Sequence, residues 1–111
     1  MPNWNPRSPV VPRNASGKLF EAFLDFHRAN GHVWYLFERF AMEVIERGFR
    51  HYSADAVMHR VRWETSMSTK STDGLKINNN HVAWYARTFR ETWPEYGDLF
   101  QMRSSPREVA A

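Results

Sequence analysis

The stretch HVWYLFERFAMEVIERG, residues 32–48, constrains the fold more than any other part of this chain. Val33, Leu36, Phe37, Phe40, Ala41, Val44 and Ile45 recur three or four positions apart. That spacing places them on one side of an α-helix, as a stripe that must be buried against other elements. It predicts a helix from about His32 to Arg47, with Gly48 taking the left-handed position past its C-terminus. A helix with so broad an apolar side needs partners, and the flanking sequence supplies three.

Before it, Ser16 offers an N-cap for a helix over 17–29 whose apolar side is Leu19, Phe20, Phe23, Leu24 and Phe26, ended by the Arg28-Ala29-Asn30-Gly31 break. After it, Ser53 caps a third helix with Ala54, Val57, Met58 and Val61 inward and Trp63 or Thr65 at the edge. The fourth spans about 81–92, with Val82, Tyr85, Ala86, Phe89 and Trp93 on one face, and Pro94 stops it because proline has no amide hydrogen to continue the ladder. Between the third and fourth, SMSTKSTDGLKI at 66–77 carries an Asp73-Gly74 pair suited to a tight turn. A short β-hairpin fits there, and so does a loop. Tyr96, Leu99, Phe100 and Met102 are apolar enough to fold back over the core.

The expected fold is therefore mainly α: a compact four-helix domain over 17–103 with a hairpin or loop between its third and fourth helices, similar in order to helix-turn-helix or winged-helix proteins. Residues 1–16, with Pro2, Pro6, Pro9 and Pro12, read as an extended basic arm that Trp4, Val10 and Val11 would dock, and 104–111 as a flexible tail. Eight Phe, five Trp and four Tyr in 111 residues fill the predicted helical faces. Trp4, Trp34 and Trp84 lie off the best stripes and are expected to be partly exposed.

The absence of cysteine excludes disulfides, thiolate zinc sites and a thiol nucleophile. With no apolar run of membrane length and no signal core, the expectation is a soluble cytoplasmic protein with no membrane contact. Glycine-rich phosphate loops and Gly-x-Ser-x-Gly elbows are missing. Asp55 and His59 have the i, i+4 spacing of two metal ligands, and Asn80-His81 is a pair used in some metal-dependent nucleases, but neither has the partner residues a site would need. The reading is non-enzymatic, with no catalytic residues, metal or cofactor.

Charge is more informative by position than in total. The net charge is +3. Arg7, Arg13 and Lys18 precede any acid, and from Arg47 to Lys70 five basic residues face only Asp55 and Glu64. Such asymmetry steers anionic partners. For DNA, the candidate contacts are Arg7 and Arg13 in the arm, Arg50, His59, Arg60 and Arg62 in and before the third helix, and Lys70 and Lys76 in the hairpin or loop. The third helix is the better recognition element, since the segment before the fourth is too long for the usual turn. Trp34, Asn78, His81, Trp84 and Arg87 are candidate contacts to some other partner. Asparagine pairs well with adenine and also caps helices, so Asn78-Asn79-Asn80 reads chiefly as a cap, at Asn79 or Asn80, with one residue left over.

FHRANGHVWYLFERFA, YSADAVMHRVRWET and LKINNNHVAWYARTFRETWPEYGDLFQMR, spanning Phe26 to Arg103, resemble a family of small, mostly uncharacterised proteins encoded in phage and prophage genomes. The resemblance implies a mobile-element setting and a compact helical domain, and brings no established activity. Two functions are consistent with these observations: a DNA-binding regulator or accessory factor, and an interaction module that modulates a host protein, such as an anti-defence inhibitor. A virion assembly role is a third. A symmetric homodimer would bury surplus aromatic surface and suit a palindromic site.

Overall fold

The computed structural model describes residues 4–12, 15–68, 77 and 79–101, excepting the side chains of 67 and 68. It contains four helices, α1 (Lys18–Ala29), α2 (Gly31–Glu46), α3 (Ala54–Ser68) and α4 (Asn79–Thr92), followed by a 3-10 turn at Pro94–Tyr96. The mainly α, four-helix expectation is met.

The local signals set most boundaries. Asn30 alone separates α1 from α2. Its side-chain amide donates to the Phe26 carbonyl (2.9 Å) and its backbone N–H to that of His27, while its own carbonyl accepts from Val33 N–H, so one residue closes one helix and opens the next. Gly48 has φ +92° and donates its N–H to the Ile45 carbonyl, ending α2 as its position requires. Ser53 Oγ accepts from Ala56 N–H (3.2 Å) and caps α3.

Three expectations need correction. Ser16 is not the cap of α1. Gly17, at φ +103°, holds the N-cap position with no side-chain bond, and its carbonyl accepts from Glu21 N–H. Asn79 and Asn80 do not precede α4 but form its first turn, with exposed side chains; Asn78, the residue before it, lies outside the described residues. The hairpin is not supported. Ser66–Ser68 belong to α3, where the Thr65 and Ser66 hydroxyls donate to the carbonyls of Arg62 and Trp63 on the preceding turn, and residues 69–76 lie outside the described residues. Among the described residues the β-type pairing is one isolated parallel bridge between Tyr52 and Phe100.

The core is aromatic and centred on α4. Tyr85 is fully buried, with Phe23 of α1 packed edge-on (4.9 Å between centroids), Phe37 of α2 at 5.8 Å and His27 at 5.9 Å. Phe100 inserts between Phe37 and Phe89, 5.3 Å from each, while Tyr52 N–H donates to the Leu99 carbonyl (2.8 Å). The segment after α4 therefore folds back over the core as expected. Met102 lies outside the described residues.

Residues 4–12 are bound across the domain through a buried carboxylate. Glu38, 1 % exposed, sits on the α2 face that packs inward. Its Oε2 accepts from Trp93 Nε1–H (2.9 Å) and from the Arg7 backbone N–H (3.0 Å). Trp34 Nε1–H donates to the Arg7 carbonyl (3.2 Å), and Val10 N–H to Thr92 Oγ1 (2.8 Å). The Arg7 guanidinium lies over the Trp93 ring at 3.7 Å and grips Glu95 with both terminal nitrogens (3.0 and 2.8 Å), also donating to the Thr92 carbonyl. Trp4 meets Trp93 edge-on at 6.2 Å.

Removing a buried acceptor leaves its donors unsatisfied, at about 1–3 kcal/mol each. Glu38→Leu is expected to lose about 2–5 kcal/mol in urea unfolding and to expose residues 4–12 to protease in the folded state. Glu38→Gln, which keeps one acceptor oxygen, is expected to lose less than half as much.

Candidate nucleic-acid interface

Helix α3 presents the side chains that the charge pattern singled out. Val57, Met58, Val61 and Thr65 point inward and are buried. The opposite side follows from the same period, and carries His59, Arg60 and Trp63, all exposed. Arg60 and Trp63 are three positions apart and His59 and Trp63 four, so the three lie within one turn on one surface. Arg50, also exposed, stands in the connection that leads from α2 into α3.

These side chains are not equally free. Arg60 pairs with Glu43 of α2 at 3.0 Å, an exposed contact, and its guanidinium lies 4.1 Å from the Phe40 ring, which holds it against α2 while leaving its side chain half exposed. Surface pairs of this kind are worth little, so Arg60 exchanges Glu43 for a phosphate at small cost. Arg62 is half-buried and donates to the Ile77 carbonyl at 2.6 Å, anchoring the chain just before α4. His59 and Arg50 have no ion pair among the described residues.

Arg7 belongs to another part of the molecule. Its guanidinium is held by Glu95 and Trp93, and the Glu95 hydrogen bond shifts Arg7 further towards the charged form and lowers the Glu95 carboxyl. It serves to dock the arm. Arg13, Lys70, Lys76 and Asn78 lie outside the described residues.

The candidate contacts on α2 and α4 also change. Trp34 is 5 % exposed, because its indole packs in the core while Nε1 reaches the arm, so the expectation of an exposed anchor is overturned. His81 is buried, packed on Phe26 at 4.7 Å between ring centroids, rather than outward-facing. Trp84 is half-buried against Phe20 at 4.9 Å, with the Arg87 guanidinium 4.8 Å above its ring. Of Trp63 and Thr65, the two residues expected at the edge of the stripe, Thr65 is buried, and Trp63 stands two positions beyond buried Val61 and hence across the helix. It is 62 % exposed. Tyr35 and Phe49 are about half exposed.

Electrostatics divide the chain. Of 15 basic and 12 acidic residues, Arg13, Lys70, Lys76, Arg103 and Arg107, with Asp73 and Glu108, lie outside the described residues. Taking these five bases and two acids away leaves ten of each sign, so the described part is charge-balanced and any positive surface on it is local. Among the described residues no helix is long and apolar enough to cross a membrane.

No family model, curated protein or solved structure matches this chain.

Two histidines titrate against the core. Burial lowers His27, with Arg28 adding to the effect, and burial lowers His81. Burial also raises the Tyr85 hydroxyl beyond the ordinary tyrosine range. A histidine whose pKa is lower when folded binds fewer protons folded than unfolded near that pH. Stability is then full above about pH 6.5 and falls as pH drops below it. His27 stacks on Phe23 and its buried Nδ1 has no hydrogen-bond partner among the described residues. The native protein is therefore expected to lose melting temperature between about pH 6.5 and 5, and His27→Phe to flatten that decline. An unchanged decline in the variant would show that His27 contributes nothing to it.

Proposed function

We propose that this protein is a non-enzymatic DNA-binding module, a regulator or accessory factor of the phage or prophage type that its sequence resembles. On this reading it works in the cytoplasm of the host cell and contacts duplex DNA through the outer side of α3. One observation carries the reading: Arg60, His59 and the exposed Trp63 share one turn of a helix whose other side is wholly committed to the core. Such a helix can enter a groove without unfolding any packing, with Arg60 and Arg50 on phosphates, His59 on a phosphate or base edge, and Trp63 against sugar and base surface. Residues 47–53 join α2 to α3, a longer connection than the usual helix-turn-helix turn, so on this reading α2 supports α3 by packing against it rather than through that turn. Lys70 and Lys76, in the segment that follows α3, add to the phosphate contacts, and so does Arg13. Arg7 drops out of the contact set because its guanidinium seats the arm, held at once by both Glu95 oxygens, the Thr92 carbonyl and the Trp93 ring.

A host-protein target is the second reading, favoured by Trp63, since exposed tryptophans are common interface anchors. Salt dependence separates the two. In gel-shift titrations the native protein is expected to bind duplex DNA with affinity falling steeply from 50 to 200 mM salt. Arg60→Gln is expected to weaken binding about five- to tenfold and reduce the salt slope by about 1, whereas Arg7→Gln lowers stability and leaves the slope unchanged. Absence of salt-sensitive binding to any duplex would remove the DNA reading. Capture of a defined host protein that Trp63→Ala abolishes would then establish the second.

A further inference from the structure

Trp63 is the most exposed of the large apolar side chains among the described residues. Its setting is specific. Val61 and Thr65, two positions to either side, are buried, so the backbone that carries the indole is fixed and the ring is held outward. His59 and Arg60 stand one turn before it on the same surface, both exposed. Arg60 is itself positioned, by Glu43 at 3.0 Å and by the Phe40 ring 4.1 Å away. Glu64, the acid next to Trp63, is half-buried and already engaged. A flat apolar ring therefore stands one turn from a positioned cation, the pairing of a base-stacking surface with a phosphate contact.

An intact duplex makes poor use of that ring. Base edges in the major groove are read by side chains that donate and accept hydrogen bonds, whereas an indole has one donor and no acceptor. The larger gain for an indole is to lie on the face of a base. In a continuous duplex both faces of each base are covered by its neighbours, and opening a step costs about as much as the new stack returns. Where a base is already unpaired that cost is absent, and the stack adds its full gain to the phosphate contacts.

We infer that the outer surface of α3 recognises DNA bearing an unpaired base, which stacks on Trp63 while the adjoining phosphates meet Arg60 and His59. This inference rests on the DNA reading above and names the substrate class for the same surface.

Gel-shift titrations of the full chain compare an intact duplex, the same duplex with a central bulge of unpaired thymines, and one of its strands alone. The bulged duplex is expected to bind about tenfold tighter than the intact one. That preference is expected to hold at low and moderate salt, since the two DNAs carry closely similar phosphate charge. Trp63→Ala is expected to remove it, leaving the affinity for intact duplex and its salt slope unchanged, and Trp63→Phe, which keeps an aromatic face, to retain it to within about threefold. Arg60→Gln is expected to weaken both duplexes alike. Leu19→Ala, at an exposed apolar site on α1, which does not pack on α3, is expected to change neither. Equal affinity for bulged and intact duplex would overturn the inference. So would a Trp63→Ala effect that falls equally on both, or a loss of preference in Leu19→Ala. Salt-sensitive binding to intact duplex without preference for the bulge overturns this inference alone, whereas absence of salt-sensitive binding to all three DNAs removes the DNA reading with it.

Discussion

The carboxylate of Glu38 ties together parts of this chain that lie far apart in sequence. Burying an ionised carboxylate in a protein interior is costly unless donors and opposite charge surround it. Here one donor is the Trp93 indole, just past α4, and the other is the Arg7 backbone in the arm. The favourable Coulomb interaction between Arg7 and Glu38 adds to both. The requirement runs in both directions: α2 can keep a carboxyl group on its inner face because the arm is seated, and the arm is seated because that acceptor is there. Thr92 reinforces the joint by accepting from Val10 while donating to the Thr88 carbonyl.

This joint divides the basic residues into two groups. Arg7 and Arg62 are structural, one docking the arm and the other holding the approach to α4. Arg50, His59 and Arg60 remain at the surface, beside the exposed indole of Trp63. The aromatic core sets up that division, because α4 is surrounded by α1, α2 and the Phe100 segment, and most of its aromatic surface is used inward on Tyr85 and Phe89. The outer face of α3 carries polar and aromatic groups outward. Arg87 stands between the groups, stacked on Trp84 and with no carboxylate partner among the described residues.

The helices were legible because their stripes repeat at helical period and their ends carry specific chemistry. Gly48, Ser53 and Pro94 each act through their own backbone or cap, so neighbouring sequence suffices to read them. The same reasoning misplaced Ser16 and the asparagines by a turn or less, since several residues near a helix end can cap it and local sequence does not rank them. Trp63, with Thr65 the alternative at the edge of a stripe, and Trp34, expected to be partly exposed, were left to the fold for a different reason. A tryptophan is large enough to reach a core from the edge of a stripe, or to be driven from it, and its helix position alone does not decide between these outcomes.

The sequence by itself determined a four-helix domain, its approximate boundaries, most of the buried aromatic set and the basic character of the α3 region. Those features depend on period and on chemistry within a few residues. The tertiary structure decided what each charge is for. Arg7 and Glu95 are 88 positions apart, and Glu38 and Trp93 are 55 apart. Pairings at such separations follow from how helices pack and leave no local trace, so Glu38 reads as an ordinary surface acid until the fold places it in the core.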